Sequence, residues 1–187
     1  MRKVLMRSVT VLIIIALSIG VGFAYEYICD VFDRKAHPQE YRELVTRYAA
    51  EYGVPEHIIY AVIKIESNFR SDAKSTAGAL GLMQMTPDTF DWLMTILREN
   101  YEVGMLYDPE TNIKYGTYFL SYLYREFGLW ETAWAAYNAG FARVKEWQKN
   151  EEYADENGVL ISIPYKETRE YVKKVKKASE IYERLYY

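Results

Sequence analysis

Between Glu56 and Phe69 the chain reads EHIIYAVIKIESNF, and one carboxylate falls where a helix would bury it. With Ile59 at zero and about 100° per residue, Val62 falls at roughly 300°, Ile63 at roughly 40° and Phe69 at roughly 280°. Glu66 falls at roughly 340°, inside that apolar arc, whereas Lys64 points away at roughly 140°. Burial disfavours the charged carboxylate and raises its pKa, which makes the group a usable proton donor near neutral pH. A plainer reading is a helix end, with Ser67 and Asn68 releasing Glu66 towards solvent. Pattern alone leaves both open.

The segments that follow carry more polar chemistry. Residues 71–82 are rich in Ser, Ala and Gly and close on Gly78-Ala79-Leu80-Gly81. Glycines there let backbone turn through positive φ or approach a ligand closely. The Lys and Ser/Thr spacing of a phosphate-cradling loop is missing. Gln84 then sits between Met83 and Met85, and Tyr137-Asn138 sits between Ala136 and Ala139. Tyr137 and Trp134 read more simply as core aromatics than as site residues; Asn138, flanked by small residues, is expected to be buried and to need partners. A glutamate with amides, hydroxyls and tyrosines suits a sugar, which offers hydroxyls for hydrogen bonds and flat C–H faces for rings. Asp72 and Asp88 are the nearest candidates for a second carboxylate, but Asp88 directly after Pro87 reads as a first-turn helix residue.

The elements that must position these groups read as helices. Tyr41, Leu44, Val45, Tyr48 and Ala49 recur at helical spacing up to Gly53, and Pro55 suits the first turn of the next helix. Thr86-Pro87 and Asp108-Pro109 each pair a capping side chain with a proline, opening helices to about Asn100 and Phe127. A helix over 129–139 ends at Gly140, a short one carries Val144 and Trp147, and the last aligns Tyr171, Val175, Ala178, Tyr182 and Leu185. Lys173, Lys174, Lys176 and Lys177 flank that face as a solvated edge. Only residues 159–163 suggest even a short hairpin arm. The expected fold is all-α, a single helical domain.

Composition narrows the class. The 187 residues carry a net charge of -3, which argues against a general nucleic-acid binder. A lone cysteine, Cys29, excludes an internal disulfide framework and a cysteine zinc site. The two histidines, His37 and His57, read as surface or helix-start residues, so neither a metal nor an organic cofactor is expected. Arg2, Lys3 and Arg7 precede an uncharged run from Ser8 to Tyr25, the grammar of a signal anchor or a cleaved signal peptide. Gly22-Phe23-Ala24 would serve for cleavage. The expected organisation is a signal anchor or signal peptide over 1–25, a short tether over 26–37 and a domain over 38–187.

These blocks resemble the catalytic domain of lytic transglycosylases of the soluble, goose-lysozyme-like type. The resemblance is carried by ESNF at 66–69, SxxGAxGLMQMTP at 75–87, LYDPETNIKYGTYFLSYL at 106–123, AAYNAG at 135–140 and IPYKETREYVKKV at 163–175. It implies a lysozyme-like helical fold with Glu66 as the single catalytic acid/base. It also implies that Ser75, Gln84, Tyr137, Asn138, Glu167 and Tyr171 line the glycan site or support the glutamate, with Ser67 and Met83 beside it. Thr86 departs from the family's bulky apolar residue, which removes an apolar contact to the sugar. The implied substrate is the peptidoglycan glycan strand, cut between N-acetylmuramic acid and N-acetylglucosamine with closure of a 1,6-anhydromuramoyl end. A hydrolytic muramidase and an idle peptidoglycan-binding envelope module are the alternatives. A monomer is expected in the bacterial cell envelope, outside the cytoplasm, held to the membrane by its N-terminal helix or secreted if that segment is cleaved.

Overall fold

The structure, a computed structural model, describes residues 2–187, with the side chains of residues 2–5, 7–14 and 16 outside the description. The chain divides into two units, Met1–Pro38 and Gln39–Tyr187. The first consists of helix α1 (Arg2–Ala36), so residues expected to form a short tether are helical as far as Ala36. The expected anchor or signal lies largely on residues whose side chains are outside the description. Among the described residues no helix is long and apolar enough to cross a membrane.

The regular elements of the second unit are all helices. Its elements are α2 (Arg42–Tyr52), α3 (Glu56–Glu66), α4 (Pro87–Leu97), a 3₁₀ turn (Val103–Tyr107), α5 (Pro109–Phe127), α6 (Trp130–Ala139), α7 (Phe141–Trp147) and α8 (Lys166–Tyr186). The capping reading holds at both proline starts. The Thr86 hydroxyl accepts from the Thr89 N–H at 3.3 Å, and Asp108 Oδ2 accepts from the Thr111 N–H at 2.9 Å. Each satisfies a backbone donor that the helix itself leaves unpaired. Helix α4 stops at Leu97, short of the expected Asn100, because Arg98 turns left-handed at φ 55°. Pro55 precedes the first turn of α3 instead of lying in it. The suggested hairpin arm is a single antiparallel bridge between Ala154 and Leu160, and the described residues contain no named strand.

Helix α3 is the centre of the core, not a surface helix with one apolar stripe. Every residue from Ile58 to Ile63 is buried, Tyr60 and Ala61 included, although these fall outside the expected arc. Helix α8 packs along α3, stacking Tyr182 on Tyr60 with ring centroids 5.3 Å apart, while α5 packs on α2 and α6. Full burial extends only from Ile58 to Ile63, and the last turn, Lys64 to Glu66, is partly buried. Helix α3 ends at Glu66, which is why this carboxylate sits at the edge of the core.

Candidate active site

The α3 terminus is sharply made. Ser67 continues the helix hydrogen bond to Ile63 O, and then Asn68 and Phe69 both turn left-handed, at φ 51° and 65°. That conformation is unfavourable for a bulky residue such as Phe and persists only where packing enforces it. Here the turn drives Phe69 into the core beside Tyr60, leaving Glu66 fixed at the last helical position. The plain reading was half correct: Glu66 is a helix-end residue, but one that stays partly buried.

Helix α8 supplies its partner. The Tyr171 hydroxyl donates to Glu66 Oε1 at 2.6 Å, the one protein hydrogen bond to this carboxyl among the described residues. Burial is the larger influence and raises the pKa from 4.5, while the Tyr171 bond favours the ionised form and lowers it; the balance pushes Glu66 up to about 7. No second carboxylate contributes to that shift. The carboxyl group can therefore exist in both protonation states near neutral pH, as an acid that must later act as a base requires.

Helix α6 closes the other side. Tyr137 is near enough to feel the Glu66 charge, and its hydroxyl donates to Met83 O at 2.7 Å. Burial and the Glu66 charge push the phenol pKa values of both Tyr137 and Tyr171 well above 10, so both hydroxyls remain donors. Asn138 is exposed, contrary to the expectation of burial, because α6 ends one residue later; its Oδ1 accepts from the Thr168 hydroxyl of α8 at 2.8 Å. With Glu66 and Tyr137 partly exposed as well, the site opens to solvent.

The loop between α3 and α4 is held from beneath by Asn112, which lies in the 106–123 block of the resemblance but is not among the expected site residues. Asn112 is fully buried in α5; its Oδ1 accepts from Met83 N at 2.7 Å, and its Nδ2 donates to Leu80 O and Leu106 O at 2.9 and 2.8 Å. Close approach is possible only because residue 81 is glycine, at φ 75°, where a Cβ would collide with Leu106 O and the Asn112 amide. On the same helix Gly116 admits the Met83 side chain in the same way. The signal was available: Asn112 lies at helical spacing from Gly116 and Leu120, a polar side chain in a buried stripe just as Glu66 is.

Of the expected site residues, the structure brings Glu66, Tyr171 and Tyr137 within electrostatic reach of one another, while Tyr137–Met83 O and Asn138–Thr168 are separate hydrogen bonds that tie α6 to the loop and to α8, with Thr168 unforeseen. It does not turn the other expected site residues towards Glu66. The Ser67 hydroxyl bonds back to Ile63 O, Ser75 Oγ accepts from Ala79 N, and Gln84 Nε2 donates to Ala73 O and Gly81 O. These side chains shape the loop. Glu167 is exposed in the first turn of α8, one residue before Thr168. Asp72 and Asp88 are both exposed, Asp88 in the first turn of α4 as expected. Thr86, in place of an apolar residue, is occupied as the α4 cap.

An all-helical, lysozyme-like domain with one buried-edge glutamate between two tyrosines is the class that this fold and site define. The model of the Transglycosylase SLT domain family matches residues 43–159, and the chain belongs to that family. It is 39% identical over 144 residues to the soluble lytic murein transglycosylase of Escherichia coli K12, covering 74% of this chain and 22% of that protein. It is 40% identical over 96 residues to membrane-bound lytic murein transglycosylase C of Yersinia pestis, covering 49% of this chain and 26% of that one. The crystal structure of the 70 kDa soluble lytic transglycosylase of Escherichia coli superposes with a TM-score of 0.74 at 36% identity, over 81% of this chain and 25% of that one. The chain thus spans about a quarter or less of the length of these relatives.

Proposed function

We propose that this domain is a peptidoglycan lytic transglycosylase that uses Glu66 alone as acid and base. The observation that carries the reading is a glutamate pushed up to about 7, hydrogen-bonded by Tyr171 and with no carboxylate partner. Most glycosidases need two carboxyl groups, about 5–9.5 Å apart, one acting as acid and the other as nucleophile or base. With Asp72 and Asp88 exposed and outside the Glu66 environment, the chemistry that fits is substrate-assisted.

Neutral Glu66 donates its proton to the glycosidic oxygen between N-acetylmuramic acid and N-acetylglucosamine, and the C1–O bond breaks. The muramoyl acetamido oxygen stabilises the positive charge developing at C1. Glu66, now ionised, takes the proton from the muramoyl C6 hydroxyl as that oxygen attacks C1, closing the 1,6-anhydro ring. The proton lent by Glu66 is recovered, and no water is consumed. The nucleophile is part of the substrate, so its effective concentration replaces an activated water. Tyr171 holds the carboxyl in place through both steps, and Tyr137 anchors the loop beneath it. The proposed setting is the cell envelope outside the cytoplasm, with the domain acting as a monomer. The N-terminal segment is the membrane tether, a role supported by Arg2, Lys3 and Arg7 ahead of the uncharged run to Tyr25.

Product mass tests the reaction. Digested with this protein, purified peptidoglycan should yield muropeptides one water lighter than their hydrolysed counterparts, and Glu66→Gln should yield none. Reducing-end products from the wild type would instead make the domain a hydrolase.

A further inference from the structure

Aromatic rings run outward from the site along a path that the proposed cleavage step leaves unused. Tyr137, beside Glu66, lies 5.3 Å from Phe119, centroid to centroid, and Phe119 lies 6.2 Å from Trp92 on α4. Trp92 in turn is 5.0 Å from Tyr122, which is 5.9 Å from Phe141 at the start of α7. Tyr137 is partly exposed and Phe119 buried, and Trp92 is 38% exposed while its neighbours Leu93 and Met94 are buried. Two edge-on contacts hold it, with interplanar angles of 80° to Phe119 and 83° to Tyr122. It is a solvent-facing indole whose N–H meets no acceptor among the described residues. Phe141 follows directly on Gly140, at the end of the helix that carries Tyr137 and Asn138.

We propose that Trp92, backed by Tyr122 and flanked by Phe141, is a stacking shelf for sugar rings of the glycan strand beyond the bond that is cut. This deepens the transglycosylase reading and rests on it. Pyranose rings present flat C–H faces, and an aromatic ring fixed edge-on by its neighbours offers a face without the entropy cost of ordering a mobile side chain. Tyr137 and Trp92 both reach solvent and are separated by the single buried ring of Phe119, a span short enough for one continuous chain of sugars to touch both. That continuity favours a glycan over a peptide or a lipid surface. The shelf adds binding for long strands and none for short ones.

The test uses the full-length Glu66→Gln protein in mild detergent, which binds without turnover, and β-1,4 N-acetylglucosamine trimer and hexamer measured by calorimetry. The hexamer should bind more tightly than the trimer. Adding Trp92→Ala should weaken hexamer binding about 3- to 10-fold and leave the trimer within about twofold, while Trp92→Phe should retain most of the hexamer gain. A length-dependent gain that survives Trp92→Ala overturns the shelf, as does equal loss for both oligomers with a lowered melting temperature. Binding to phosphatidylglycerol vesicles that depends on Trp92, without a sugar effect, would assign the patch to lipid. If the trimer binds but length brings nothing, only the shelf falls; if neither oligomer binds, the transglycosylase reading falls with it.

Discussion

At the scale of single residues, the function turns on how two opposing influences on Glu66 balance. Glu66→Gln keeps the shape but can neither donate nor recover a proton. General acid–base catalysis contributes about 10²–10⁴-fold, and here one group supplies both halves, so the loss of peptidoglycan cleavage should be at or beyond the upper end. Asp72→Asn and Asp88→Asn should each keep most activity on the same substrate. With Glu66 up at about 7, cleavage should fall as pH climbs through that value, because the proton donor is then lost. Tyr171→Phe removes the one hydrogen bond that favours the carboxylate, leaving burial unopposed. Its pH–rate profile should therefore keep its shape but lose activity at a higher pH than the wild type. A limb that moves to lower pH would mean that Tyr171 acts on Glu66 by some other route.

At the scale of elements, the loop over 67–86 is only as accurate as its attachment to α5. Asn112→Ala leaves Met83 N, Leu80 O and Leu106 O without their buried partner and should cost about 3 kcal/mol in urea unfolding. Gly81→Ala, forced to positive φ with its Cβ directed at Leu106 O and the Asn112 amide, should also destabilise. Because the two share one collision, the double variant should lose less than the sum of the singles by about 1 kcal/mol. Strict additivity would show that the clash with Asn112 is not what keeps residue 81 a glycine. Sequence legibility divides along the same line. The helix starts at Thr86-Pro87 and Asp108-Pro109 and the stop at Gly53 follow from local spacing and capping, whereas spacing alone leaves Glu66 open between burial and a helix end. What local spacing could not supply is long-range: that α3 is enclosed on every side, that Asn112 reaches 29 residues back to Met83, and that the Gln84 amide turns into its own loop. Motif resemblance identified the loop residues as belonging to the site but not which side chains face the carboxyl group.

At the scale of the whole molecule, residues 39–187 contain a core of their own, from Val45 on α2 to Tyr182 on α8. That segment should fold alone with a helical circular-dichroism spectrum, and a largely unstructured product would contradict it. Its stability should carry the signature of Glu66. The folded-state pKa of this group, about 7, is raised above the ordinary 4.5, so the folded protein binds the proton more tightly than the unfolded chain does. Stability then falls as pH rises, beginning near the unfolded value and levelling off once the folded-state value is passed. The shift corresponds to roughly 3 kcal/mol at most, with solvent reaching the partly exposed carboxyl reducing it. Glu66→Gln is neutral at every pH and escapes this loss. Chemical unfolding of the two proteins should therefore give similar stabilities near pH 4, with the Gln variant gaining steadily up to about pH 7 and keeping a constant lead above it. A lead that is already present at pH 4, or that shrinks as pH rises, would place the ionisation of Glu66 elsewhere and remove the reason for its acid role at neutral pH.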